Sequence, residues 1–206
     1  MKQPTCNRII AIIFMGLLFL AMTRALPGQD NGTLFVKINP YTSDVKLPKA
    51  VEKQLEHAFF QWGMADHTLL IPLVNEKFVK VDTLNLTRFG EQKAVAMPPG
   101  NYTITCIAHE FNSNSTSVEK YLSKNAYFNI DVLKFRILPD KTTTIDISPN
   151  YKPQTVWFRL SKETMYLPET TVRVFESGVQ VGDATVINAR TEKSVAWDDY
   201  KGPLKF

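Results

Sequence analysis

Apolar and polar residues alternate with a period of two along most of the chain after residue 32, and Pro, Gly, Asn and Asp separate the alternating runs. "TLFVKI" (33–38) opens the series and stops at Asn39-Pro40. "HTLLIPLV" (67–74), "KFVKVDTLNL" (77–86) and "QKAVAM" (92–97) follow. "DVLKFRIL" (131–138) sets Leu133, Phe135 and Ile137 against Lys134 and Arg136, and "KTTTIDIS" (141–148) sets Ile145 and Ile147 against Thr144 and Asp146. "TVWFRL" (155–160), "TTVRVFE" (170–176) and "DATVINA" (183–189) complete the set. Half-buried strands in this number predict a mainly β protein, an antiparallel sandwich or barrel. Pro72 predicts an edge or bulged position for its strand.

Two stretches break the alternation. In "PKAVEKQLEHAFFQW" (48–62), Val51, Leu55, Phe59 and Trp62 fall at helical spacing, with Pro48 in the first turn and Gly63 as the stop. This predicts one amphipathic helix packed on the sheet. A shorter helix is expected over 116–124, where Thr116 and Glu119 fit a capping box.

The stretch "VAMPPGNYTITCIAHEF" (95–111) holds Cys106 and His109. Pro98-Pro99 predicts an extended approach and Gly100 a tight turn with positive φ. Beyond it, Tyr102, Ile104, Cys106 and Ala108 share one strand face, and Thr103, Thr105, Ile107 and His109 the other. Cys106 therefore reads as a small buried hydrophobe rather than a nucleophile, and it cannot pair with His109 across the strand.

The N-terminus changes the reading of charge. Lys2 and Arg8 precede the apolar run Ile9–Met22, and Thr23 and Ala25 are small residues at a cleavage spacing. This predicts a secretory signal peptide over 1–25; an uncleaved membrane anchor is the alternative. The segment carries three basic and no acidic residues, so its removal lowers the net charge from +4 to +1. The mature charge gives no reason to expect a nucleic-acid partner. One cysteine, Cys106, would remain, so no internal disulfide is expected. Sequons occur at Asn31, Asn85, Asn101 and Asn114.

"MPPGNYTI" resembles the "PPGxYxL" element of transthyretin-like exported sandwiches, the carboxypeptidase-regulatory-like and PEGA-type domains. The flanking "GTLFVKI", "LVNEKFVKV" and "LPDKTTTIDIS" follow in the same order, so the resemblance covers roughly residues 33–150. It implies an accessory, non-catalytic domain. The expected organisation is a signal peptide (1–25), a linker (26–32), an antiparallel β-sandwich, transthyretin- or immunoglobulin-like (33–150), and a C-terminal β extension (151–206), which either completes the sandwich or forms a small appended sheet.

Candidate chemistry is sparse. His57, His67 and His109 lack the short spacings of metal ligands, so neither a metal nor another cofactor is expected. No G-x-S-x-G is present, and "ESG" (176–178) reads as a hairpin turn. "GVQVGDA" (178–184) lies among strands and is not a phosphate loop. Asp198-Asp199 in "WDDYK" reads as a solvated pair. The candidate contact residues are the aromatics near charge: Trp157 with Arg159, and Trp197 with Tyr200. The expected function is a non-enzymatic binding or assembly component, periplasmic or secreted, with an envelope or extracellular protein as partner. It would meet a membrane only if residues 9–22 stay attached. The alternatives are a carbohydrate-binding accessory module and a hydrolase using fold-assembled carboxylates.

Overall fold

The computed structural model describes residues 30–65, 67–72, 85–110, 118–158 and 161–202. The expected signal peptide, most of the strand expected over 77–86, Thr116 and Arg159 lie outside these residues.

Strand β1 (Gly32–Ile38) follows the alternation directly: Leu34, Val36 and Ile38 are fully buried and Lys37 is exposed. It lies between β6 (Gln92–Met97), which pairs antiparallel, and β9 (Thr142–Phe158), which pairs parallel. The hairpin partner of β9 is β10 (Ser161–Glu176), and β11 (Val179–Gln180) and β12 (Thr185–Val186) flank β10. β2 (Thr42–Ser43) pairs parallel with β9. The first sheet therefore runs β11-β10-β9-β1-β6.

The second sheet is built from β3 (Phe59–Ala65), β4 (Thr68–Pro72), β5 (Asn85–Arg88), β7 (Gly100–His109), β8 (Ala126–Ile137) and β13 (Val195–Ala196), in the order β13-β8-β7-β4-β3-β5. One core lies between the sheets. Leu34, Ile145 and Val172 come from the first sheet, and Trp62, Ile104 and Phe135 from the second. Fully burying such side chains contributes about 1.5–3 kcal/mol each. The result is a mainly β sandwich, as the alternation predicts. Its sheets are mixed, because β1–β9, β2–β9 and β4–β7 are parallel pairs.

The expected helix over 48–62 is shorter. Helix α1 spans Lys49–Leu55, and Pro48 is its extended N-cap. From Phe59 the chain is a strand in which Phe60 and Trp62 face the core and Phe59 is exposed. "AFFQW" suits both periods, but aromatic residues favour a pleated, half-buried surface, and burial of Phe60 and Trp62 on one face decides for the strand. The Trp62 indole Nε1–H donates to Thr87 Oγ1 at 2.9 Å across to β5, satisfying the one polar group of a fully buried ring. Gly63, expected as the helix stop, is a strand residue paired with Leu70. Helix α2 (Val118–Asn125) occurs close to where the second helix is expected.

Pro72 lies on an interior strand. The ladder between β3 and β4 runs from Thr68 to Leu70, so Pro72 sits past it and pairs only with β7. "TTTIDIS" and "TVWF" lie on one strand, β9, which runs across the expected boundary at residue 150. Of "DATVINA", only Thr185–Val186 is a strand. There Asn188 takes over the pairing: its Oδ1 accepts from Thr170 N–H at 2.8 Å and its Nδ2 donates to the Pro168 carbonyl at 2.7 Å. The C-terminal segment adds β13 to the edge of the second sheet, pairing with β8 at Phe128 and Tyr127, and Trp197 and Tyr200 then lie over Phe128 and Ile107.

Candidate functional site

The turn before β7 sets the position of the site. Gly100 is the first residue of β7, paired with Ile137, and is not among the positive-φ glycines; the expected left-handed turn is absent there. Two prolines already hold the approach extended, so the strand starts without a reversal. Tyr102 is pinned instead: its hydroxyl donates to the Pro98 carbonyl at 2.7 Å, its ring lies 4.9 Å from His67, and it stacks on Phe135 at 5.6 Å. Burial raises its phenol pKa.

A crevice of about 600 Å³ opens at this end of β7. Asn101, Tyr102 and Thr103 line it from β7, Asp131 and Lys134 to Arg136 from β8, and Glu176, Val181 and His67 from loops and strand ends. The register places Asn101 opposite Arg136 and Thr103 opposite Lys134, so these four share one face. Between Ile104–Leu133 and Cys106–Asn129 the register slips, leaving extra residues of β8 in a bulge. Asp131 lies in it with φ 53°, and its Oδ1 accepts from the Thr103 hydroxyl at 2.9 Å. His67 also has positive φ, 61°. Among the described residues, two of the four non-glycine residues with left-handed backbone thus line one crevice, and bulges re-aim side chains in this way.

Commitment separates the polar groups. Glu176 is held by Arg136, at 2.9 Å from Nη2, 3.5 Å from Nε and 3.1 Å from the backbone N–H. This bond and the Glu176 charge raise the Arg136 pKa. Lys134 and Asn101, by contrast, have side chains in no hydrogen bond or ion pair among the described residues. Among the described residues the Asp131 carboxylate hydrogen-bonds only with the Thr103 hydroxyl, and its charge adds to burial in raising the Tyr200 phenol pKa.

A second cleft, about 470 Å³, lies at the other end of β7, beside Ala108 and Glu110. Its charges are engaged with each other: Arg190 with Glu110 at 3.0 Å and Lys152 with Glu169 at 2.7 Å. Arg190 also lies 5.2 Å above the Tyr127 ring, and the Tyr127 hydroxyl donates to the Asn188 carbonyl at 2.8 Å. Burial, chiefly, pushes that phenol up to about 12. The charged side chains of this cleft are thus already paired with one another. The first presents unengaged donors and acceptors beside apolar residues, which is how ligand pockets are built.

The sequence-predicted contact residues divide. Trp197 and Tyr200 come together, but on Phe128: the rings stack at 5.4 Å and 3.7 Å, covering Phe128 and Ile107. Packing accounts for both. Asp198 and Asp199 are exposed between them, and Asp198 accepts from Ser123. Trp157 is opposite Lys162 in the β9–β10 ladder, while Arg159 is outside the described residues. Cys106 is fully buried, and desolvation drives its thiol pKa far up. His109 shares a 2.6 Å hydrogen bond between its Nδ1 and the Tyr121 hydroxyl, and burial lowers its pKa. His57 is exposed just past α1. "ESG" forms the expected hairpin turn, with Ser177 and Gly178 both at positive φ between Glu176 and Val179. Reasoning from the sequence missed the crevice; its one local signal was the polar pair Asn101 and Thr103 directly after the turn. No protein-family model matches the chain, and comparison with curated proteins and with solved structures found no match.

Proposed function

We propose that this chain is an exported, non-enzymatic binding component of the cell envelope or extracellular space, and that the crevice beside Tyr102 is its ligand site. The observation that carries the reading is the contrast in commitment: among the described residues Lys134 and Asn101 reach the crevice unengaged, while the charges of the opposite cleft pair with one another. Unpaired polar groups beside apolar surface gain most from a ligand that satisfies them. The N-terminal apolar run and the resemblance of "PPGNYTI" to transthyretin-like exported domains support export and an accessory role. Glu176, the second acid of the crevice, is engaged by Arg136, which favours binding over acid–base chemistry.

The test is native mass spectrometry of the protein recovered from the exported fraction of its host. Wild type should lack residues 1–25 and carry a small bound mass that denaturation releases. Val181→Trp, which fills the crevice from an exposed position, should be exported without it. A full-length chain held in the membrane fraction would overturn export. An exported wild type with no bound mass, or one that Val181→Trp retains, would overturn the ligand site.

A further inference from the structure

We propose that the crevice takes a small zwitterion with an apolar or aromatic body, of which a free α-amino acid is the simplest case. This rests on the reading of the crevice as a ligand site and names the ligand's chemistry. Of the four charged residues there, Arg136 and Glu176 neutralise each other. One cation and one anion are left. Among the described residues Lys134 forms no ion pair or hydrogen bond, and Asp131 accepts a hydrogen bond only from Thr103. The two do not pair with each other, although they stand three residues apart on β8.

Thr103 ties the group together. It lies opposite Lys134 in the ladder, two residues from Asn101 on the same face, and is bonded to Asp131. A carboxylate on Lys134 and the Asn101 carboxamide, with an ammonium on Asp131, would satisfy every unengaged group on this face. A lone carboxylate would gain Lys134 but lie beside the Asp131 charge; a lone ammonium would meet the reverse. Opposite charges held apart thus select for a ligand that carries both. The apolar body would rest against the exposed side chain of Val181. The bulge at Asp131 keeps the carboxylate out of the regular ladder and turned toward Thr103.

The experiment is isothermal titration calorimetry of the exported protein with phenylalanine as the probe, against 3-phenylpropionate and phenethylamine, which each lack one charge. Phenylalanine should bind one to one, and each analogue about tenfold or more weakly, as expected for loss of one charge-assisted contact. Lys134→Gln and Asp131→Asn should each weaken phenylalanine by a similar factor. Both are exposed, and Asn tolerates the left-handed backbone of residue 131, so circular dichroism should show both folded. Analogues binding as tightly as phenylalanine, variants binding it undiminished, or no heat from phenylalanine would each overturn the zwitterion assignment. The ligand site itself would still stand if a bound mass remained sensitive to Val181→Trp.

Discussion

The hydroxyl of Tyr102 donates a 2.7 Å hydrogen bond to the carbonyl of Pro98, four residues back, and so fastens the proline turn to the strand that forms the crevice wall. The bond fixes the ring against His67 and Phe135. Tyr102→Phe keeps the ring and loses the bond. It should cost about 0.5–1.5 kcal/mol in urea unfolding, the usual net worth of one such bond. It should also weaken ligand retention in the crevice, read by native mass spectrometry.

Two glycines near this end of the sandwich should respond in opposite ways. A Cβ at Gly32 would lie 2.3 Å from the Leu138 carbonyl oxygen and 2.5 Å from Ile137 Cγ2. Gly32→Ala must push backbone apart and should cost about 3 kcal/mol. A Cβ at Gly100 would meet Tyr102 and His67 at 3.6–3.7 Å, ordinary contact, with no positive φ to strain. Gly100→Ala should change stability by less than about 1 kcal/mol. Urea midpoints of the two variants, measured side by side, check both values.

Tyr200 stacks on the fully buried Phe128 at 3.7 Å with the rings 5° from parallel. Its truncation should therefore act on stability. Tyr200→Ala should cost about 2 kcal/mol, as for removal of a half-buried aromatic ring, and leave the crevice ligand in place. Loss of the ligand with unchanged stability would make Tyr200 the contact residue that its neighbours in sequence suggested.

His109 supplies a pH dependence. Burial lowers its folded pKa below the ordinary value of about 6.5. The unfolded chain then binds the proton more readily, so its stability contribution is complete above about pH 6.5 and is lost as pH falls toward the folded value. His109→Gln removes this proton linkage. The difference in melting temperature between wild type and variant should narrow from pH 7 to pH 5; a constant difference would contradict it.

Much of the fold was legible in the sequence because burial follows alternation on strands with one wet face. Leu34, Val36 and Ile38, or Ile145 and Ile147, could be assigned inward from spacing alone. Ile107 could not. It sits on the more polar face of β7 and is buried because Trp197 and Tyr200 return over that face from the far end of the chain. Phe59 and Trp62 fitted a helical stripe equally well, until Phe60 and Trp62 were placed in one core. The crevice was less legible still. Asn101 and Thr103 are local, but Lys134 reaches Thr103 only through the ladder register, and Asp131 only through a bulge that no residue type announces.

The central claim is tested most directly by amide chemical-shift mapping of the exported protein. The titrant is the small-molecule fraction released by denaturing that same protein. Saturable shifts should cluster at Asn101 to Thr103, Asp131 to Arg136 and Val181, and vanish in Val181→Trp. Shifts centred instead on Gln154 and Arg190 in the opposite cleft, or on Trp197 and Tyr200, would contradict the account and move the site.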